Sequence, residues 1–260
     1  MTGGYLKKIL YQKRKTMIWW FAGLVGVTFF TIIFFPALKN SNLGQVFNTL
    51  PKGLQQVTGG ANTFSSIGGY IAQEIFALRE PLLLIILSIL LFNNLYVSEE
   101  RKGLLEAQIS LPLTRKKIFL TKLVCAILVV VVASVGIVVG VKLGLISIHT
   151  HYSLLKIIQE SLECLLISLD FGLVALLLSS IFGTKGIVTG LSTTFAFGSY
   201  LISSMAPTVK SLQGIDKLSP FHYYQNLEVF NKHNTEVLAI FGLVLIVLSF
   251  IFFVRRDIKT

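Results

Sequence analysis

The sequence predicts an all-α integral membrane protein with six transmembrane helices and both termini in the cytosol. Three observations lead there. Of the 260 residues, 53% are hydrophobic and only 13% charged, a balance far from that of a soluble domain. Several apolar runs reach the length of about 20 residues that a helix needs to cross hydrocarbon, where no water satisfies the backbone. Basic residues cluster on alternate connections, 15 of the 23 falling within residues 1–16, 97–122, 183–186 and 255–260, which the positive-inside rule assigns to the cytosol. The net charge of +11 therefore reports topology beside an anionic leaflet and calls for no nucleic-acid partner.

The elements follow in order. YLKKILYQKRK, Tyr5–Lys15, sets Tyr5, Leu6, Ile9 and Leu10 on one helical face and its basic residues largely around the other. That is the pattern of a short amphipathic helix lying in the lipid headgroup layer; the alternative is a basic tail serving topology alone. The first span, 17–38, opens on Trp19 and Trp20, rings that favour the headgroup boundary. Its 22 apolar residues, with no A-x-A site after them, are expected to form an anchor rather than a secretory signal. Residues 39–70 then read as a loop with a short amphipathic piece.

The second span covers 80–97. Asn93 and Asn94 near its cytosolic end are read as marking the water boundary, with a cross-helix hydrogen bond as the alternative. The third, 118–146, is long enough to tilt or project. Its Gly136, Gly140 and Gly144 permit close helix approach, either within one subunit or at a dimer seam. The fourth and fifth, 161–182 and 187–206, are separated by GTKG, a tight turn. Before the sixth span, 237–254, the stretch KLSPFHYYQNL places aromatic, half-polar rings after Pro220, as suits an interface. Cys125 and Cys164 fall inside spans and read as packing residues rather than a disulfide. No connection has room for a soluble domain, so residues 1–260 form a single transmembrane domain.

One acid, Asp170, lies near the middle of a span, where a charge costs about 2.5–3.5 kcal/mol on insertion scales. Two readings are open: it lines a path through the membrane or senses protons, or it is neutral and bonded to a Ser, Thr or Asn of a neighbouring helix. An intramembrane enzyme is disfavoured. Glu99-Glu100 invites comparison with Glu-Glu membrane proteases, but the position that should hold Arg is Leu104. The four histidines, His149, His151, His222 and His233, all fall on outer connections, away from membrane depth where such a metal would sit. No Ser-His-Asp set is expected on one side.

The densest charge lies between spans two and three, in EERKGLLEAQISLPLTRKKIFLTK. Read as a helix, Glu99–Leu111 pairs Lys102 with Glu106, Leu105 with Ile109 and Ala107 with Leu111 at i,i+4 spacing. Pro112 ends it, Thr114 is placed to cap the next helix, and Arg115, Lys116, Lys117 and Lys122 mark the entry to the membrane. A connection meant only to be solvated needs neither the break nor the apolar side chains; the alternative is a basic loop resting on headgroups.

This run resembles the signature between the second and third spans of ABC exporter permeases of the ABC type-2 class (type V exporter fold), carried here by Glu99, Glu100, Gly103, Leu105, Glu106, Pro112, Arg115 and Lys122. The six-span layout, the basic amphipathic start and LSPFHYY are similar too, whereas Leu111 departs from the small residue many relatives carry before the proline. The resemblance implies a cytosolic coupling helix that seats in a cleft of a separate ABC ATPase subunit, with Glu99, Glu100, Gly103, Leu105, Glu106, Ile109, Pro112 and Arg115 as its docking residues. It further implies pairing with a second permease chain, identical or different, and a multi-pass place in the bacterial plasma membrane. ATP and Mg would be held by the partner, since no G-x-x-x-x-G-K-[ST] loop occurs in the sequence. A stand-alone carrier or channel is the rival reading, and it would be expected to hold more intramembrane charge than one central acid.

Overall fold

The computed structural model describes residues 2–39, 66–98, 114–183, 185–224 and 232–255, and every regular element among them is helical. Helix α1 runs Thr2–Lys39. After it come α2 (Ile67–Tyr70), a π-helical stretch Ile71–Phe76, α3 (Arg79–Asn93) and a second π-helical turn, Asn94–Ser98. Then follow α4 (Arg115–Ser147), α5 (Leu154–Phe182), α6 (Lys185–Met205), the short α7 (Gln213–Asp216) and α8 (Pro220–Tyr223), and α9 (Lys232–Arg255).

Among the described residues, five stretches are long and apolar enough to cross a membrane: Gly4–Lys39, Ile67–Val97, Arg115–Ser147, Leu154–Phe182 and Lys232–Arg255. They coincide with five of the six predicted spans. The remaining one, predicted at 187–206, is helix α6, whose Ser and Thr content dilutes its apolar character. Leucines and isoleucines such as Ile240 and Leu243 of α9 stand more than half exposed on the outside of the bundle, as fits side chains solvated by lipid tails.

Long helices consecutive in the chain alternate in direction, and two packed pairs fix the pattern. Phe21, Val25 and Ile32 of α1 lie against Gly136, Gly140 and Gly144 of α4 in the same order, so these two helices run parallel. Asp170 of α5 faces Gly242 of α9 and Glu163 faces Thr235, so this pair is parallel as well. The start of α4 meets the end of α9 through Phe119, Phe250 and Phe253. The start of α1, the end of α3, the start of α4 and the end of α9 thus share one end of the bundle, here termed basal; the opposite end is apical.

The glycine stripe belongs to packing within one subunit. A Cβ on Gly136 would lie 2.9 Å from the Phe21 carbonyl oxygen, and one on Gly140 would meet the Val25 backbone and the Thr28 hydroxyl. Only a hydrogen at these positions lets the α1 and α4 backbones approach this closely.

Three expectations change. The basic stretch Tyr5–Lys15 is not a separate surface helix: it continues the first span in one unbroken helix, since nothing between Lys15 and Met17 breaks the hydrogen-bond ladder. Ile9 is buried, while Lys7, Lys8, Arg14 and Lys15 are exposed. Asn93 does not mark a water boundary, being fully buried and hydrogen-bonded to Thr189 of α6. Thr114 occupies the N-cap position of α4, but its side chain makes no capping bond and only its carbonyl accepts, from Ile118. Both cysteines are free and buried, as expected.

Pro81 shapes the start of α3. It has no N–H, and its ring crowds the carbonyl four residues earlier, so the helix breaks in a turn at Ala77 and Leu78. With π-helical spacing the Phe76 carbonyl would look to Pro81 for a donor and find none. The Tyr224 hydroxyl, 148 residues away in sequence, fills that role at 2.6 Å.

Candidate functional site

Three features occupy the bundle: a clamp at its basal end, a groove along its side and a group of buried acids toward its apical half. Of the residues predicted to dock a partner, Glu99, Glu100, Gly103, Leu105, Glu106, Ile109 and Pro112 lie outside the described residues. Arg115 is the first residue of α4 and is exposed.

The clamp joins the two helices that flank this connection. Lys122, expected at the point of membrane entry, is instead fully buried. Its ammonium donates to the Leu95 carbonyl at 2.7 Å and lies 5.6 Å from the centre of the Tyr96 ring. Burying an ammonium costs several kcal/mol unless hydrogen bonds and charge compensate. Here a carbonyl at the C-terminal, negative end of α3 and an aromatic face do so. Tyr96 in turn donates to the Phe119 carbonyl of α4 at 2.8 Å, and its ring meets those of Phe119 and Phe253 edge-on.

The groove lies between α3 and α6 and encloses about 320 Å³. Leu82, Ile86 and Ile89 form one wall, Thr193 and Phe197 the other, and Phe221 of α8 closes the apical end. Phe221 is held there by ring contacts with Phe171, Tyr200 and Tyr224. Among the described residues no charged side chain lines the groove, so its surface suits an apolar guest.

Behind α3, on the face opposite the groove, lie Glu80, Glu160, Glu163 and Asp170, each at least nine-tenths buried. Tyr152 donates to Glu160 at 3.2 Å and Thr235 to Glu163 at 3.3 Å. Neither Glu80 oxygen has a hydrogen-bond partner among the described residues, and the same is true of Asp170 Oδ2. Asp170 does not find the neighbouring Ser, Thr or Asn of the second reading at that oxygen; its Oδ1 abuts the bare Cα of Gly242, where a Cβ would sit 2.7 Å away. Tyr224 borders the group through the Cys164 thiol, and burial, reinforced by Cys164, Glu163 and Glu160, pushes its phenol well above the ordinary value. It therefore stays a neutral hydrogen-bond donor to Phe76 at any physiological pH.

Sequence reasoning singled out only Asp170. Glu80 sat at the rim of a predicted span, and Glu160 fell just outside the predicted start at 161. Helix α5 begins at Leu154, which draws Glu160 inside and moves Glu163, at the edge of the predicted span, well into the helix. The available signal was their position on the face that carries Ile157, Cys164, Ile167 and Phe171, all buried.

A family profile describing the C-terminal domain of the multidrug efflux system permease Rv1217c matches residues 9–254. The chain belongs to this permease family. Comparison with curated proteins finds no match. Membership makes the protein a membrane permease of an efflux system and agrees with its set of apolar helices.

In this permease the apical connection also holds a polar network. Asp216 receives a hydrogen bond from Ser203 at 2.6 Å and contacts His222 Nδ1 at 2.6 Å, while Ser219 Oγ lies 3.0 Å from Ser203 and donates to the Ser199 carbonyl. Ser, His and Asp do come together on one side, contrary to expectation. Their wiring is not that of a hydrolase, because Ser203 is bonded to the acid and not to the imidazole that would have to take its proton. The network ties the α7–α8 strap, and with it Phe221, to the end of α6.

Proposed function

We propose that this permease is the membrane half of an ATP-driven exporter of the ABC type-2 class, crossing the bilayer six times with α6 as the fifth crossing. Both termini and the basal end face the cytosol, where basic residues concentrate. A separate ABC ATPase subunit holds ATP and Mg and grips the 99–113 connection; the chain itself performs no catalysis. Two permease chains and two ATPase subunits make the working unit, in a bacterial plasma membrane. Closure of the ATPase pair shifts α3 against α6, and the groove between them carries an apolar cargo. Asp170 does not line the groove; it serves the translocation path from behind it, between α5 and α9.

The observation that carries this reading is where the charged connection attaches. α3 ends and α4 begins at the basal end, beside the start of α1 and the end of α9. A partner pulling on residues 99–113 would therefore act directly on a wall of the groove. The test is co-purification of this permease with an ABC ATPase from the cells that produce it. Leu105→Asp and Glu106→Arg are each expected to lower the retained ATPase at least tenfold while the permease keeps its elution profile. Retention of bound and coupled ATPase by both variants would refute the assignment of the connection.

The four buried acids favour a second reading, a stand-alone cation-coupled carrier, since the intramembrane charge is richer than one central residue. Reconstitution of the purified chain without any ATPase separates the two. Transport driven by an ion gradient alone would replace the ATP-driven reading.

A further inference from the structure

We infer that Lys122 and Tyr96 form a pin that makes the basal ends of α3 and α4 move as one body, so that Lys122 is a positioning residue for coupling. The inference rests on the ATP-driven reading above.

A lever needs a rigid joint. The 99–113 connection leaves α3 through the π-helical turn Asn94–Ser98, a break in the regular i→i−4 ladder of a kind that is rare and often marks functional sites. Left to itself, such a joint would absorb a pull by deforming locally. Two cross-links oppose this, one in each direction: Lys122 of α4 donates to the Leu95 carbonyl, and Tyr96 at the end of α3 donates to the Phe119 carbonyl. Each ends on a backbone carbonyl, so each ties a side chain of one helix to the main chain of the other rather than joining two flexible tips. The Lys122 ammonium also faces the Tyr96 ring, so the two links support each other, and that ring is packed against Phe119 and Phe253. Val97, the next side chain along the same turn, is fully buried.

A lysine is a costly choice for a site that only needed filling. Leucine or methionine would pack the same space without desolvating a charge. What the ammonium adds is a strong, directional bond to a carbonyl of the π-helical turn. The pin also accounts for a lysine one helical turn beyond Arg115, Lys116 and Lys117, at a depth where basic residues no longer serve as anchors.

The experiment uses the full permease with its ATPase subunit in lipid nanodiscs. Spin labels are placed in pairs on exposed positions, Leu90 of α3 with Leu120 of α4, and Leu90 with Leu191 of α6. Distances are read by pulsed electron resonance, without nucleotide and with ATP trapped by vanadate. In the parent protein the Leu90–Leu120 distance is expected to stay fixed while the Leu90–Leu191 distance changes. In Lys122→Met the Leu90–Leu120 distribution should broaden at least twofold on trapping, and the Leu90–Leu191 change should shrink by half or more although ATP is still hydrolysed. Tyr96→Phe, which keeps the ring and deletes only the hydroxyl, should do the same more weakly and guards against a Lys122 variant that fails to fold. If Lys122→Met and Tyr96→Phe both leave the Leu90–Leu120 distribution as narrow as in the parent, the pin is refuted while the exporter reading stands. If the parent shows no Leu90–Leu191 change on trapping, the ATP-driven reading itself falls and the pin with it.

Discussion

Gly140→Val is expected to yield almost no folded permease. The first atom beyond Cα at this position would lie 2.5 Å from the Val25 carbonyl oxygen and 2.9 Å from the Val25 Cα. These are backbone atoms of a neighbouring helix and cannot rotate aside as a side-chain tip can. Relief requires α1 to move away from α4, which loosens the contacts of Gly136 and Gly144 along the same seam. Overpacking of a well-filled interior costs about 1–3 kcal/mol, and more where backbone must shift. The effect should appear as loss of the monodisperse peak after extraction and a fall in melting temperature. Gly190→Ala is the matched control: nothing lies within 4 Å of its added Cβ, and it should behave as the parent. Equal stability of the two variants would show that the seam is not the close contact described.

Asp170→Leu is expected to lower transport at least tenfold without lowering the amount of folded protein. Replacing a buried acid by leucine removes the cost of holding a polar group at membrane depth, about 2.5–3.5 kcal/mol for the charged form. The variant should therefore be at least as stable as the parent, and a transport defect could not be assigned to misfolding. Asp170→Asn keeps shape and polarity and is expected to retain transport within about threefold if the acid acts through hydrogen bonding, or to fail with Leu if it acts through charge. Export in cells carrying both subunits, with abundance measured in parallel, reads the result. Full transport by both variants would exclude Asp170 from the path.

The sequence exposed the parts of this architecture that depend on length and periodicity. Apolar runs of membrane length located five long helices, and the four-residue repeat of Gly136, Gly140 and Gly144 pointed to close packing, although only coordinates could assign that packing to α1. Features built from contacts distant in sequence were not legible. Lys122 looked like one more basic residue at a span's edge, because nothing in a linear pattern reveals that the Leu95 carbonyl and the Tyr96 ring wait for it. Glu80 and Glu160 were hidden by boundary placement, since a helix that begins several residues early turns rim acids into interior ones. The continuity of α1 was missed for a related reason: a change from amphipathic to uniformly apolar surface marks a change of surroundings, but by itself it does not bend a helix.

That continuity has a mechanical corollary. A 38-residue helix is roughly 57 Å long, nearly twice the thickness of hydrocarbon at about 30 Å, so a good part of the rod stands clear of the lipid tails. Because Gly136, Gly140 and Gly144 let α1 seat closely on α4, and Ile9 near its start is buried in the bundle, a change in the slope of α4 carries the whole rod with it. The basic stretch around Lys7, Lys8 and Arg14 would then shift as one body with the bundle and carry a rotation deep in the bilayer to the membrane surface.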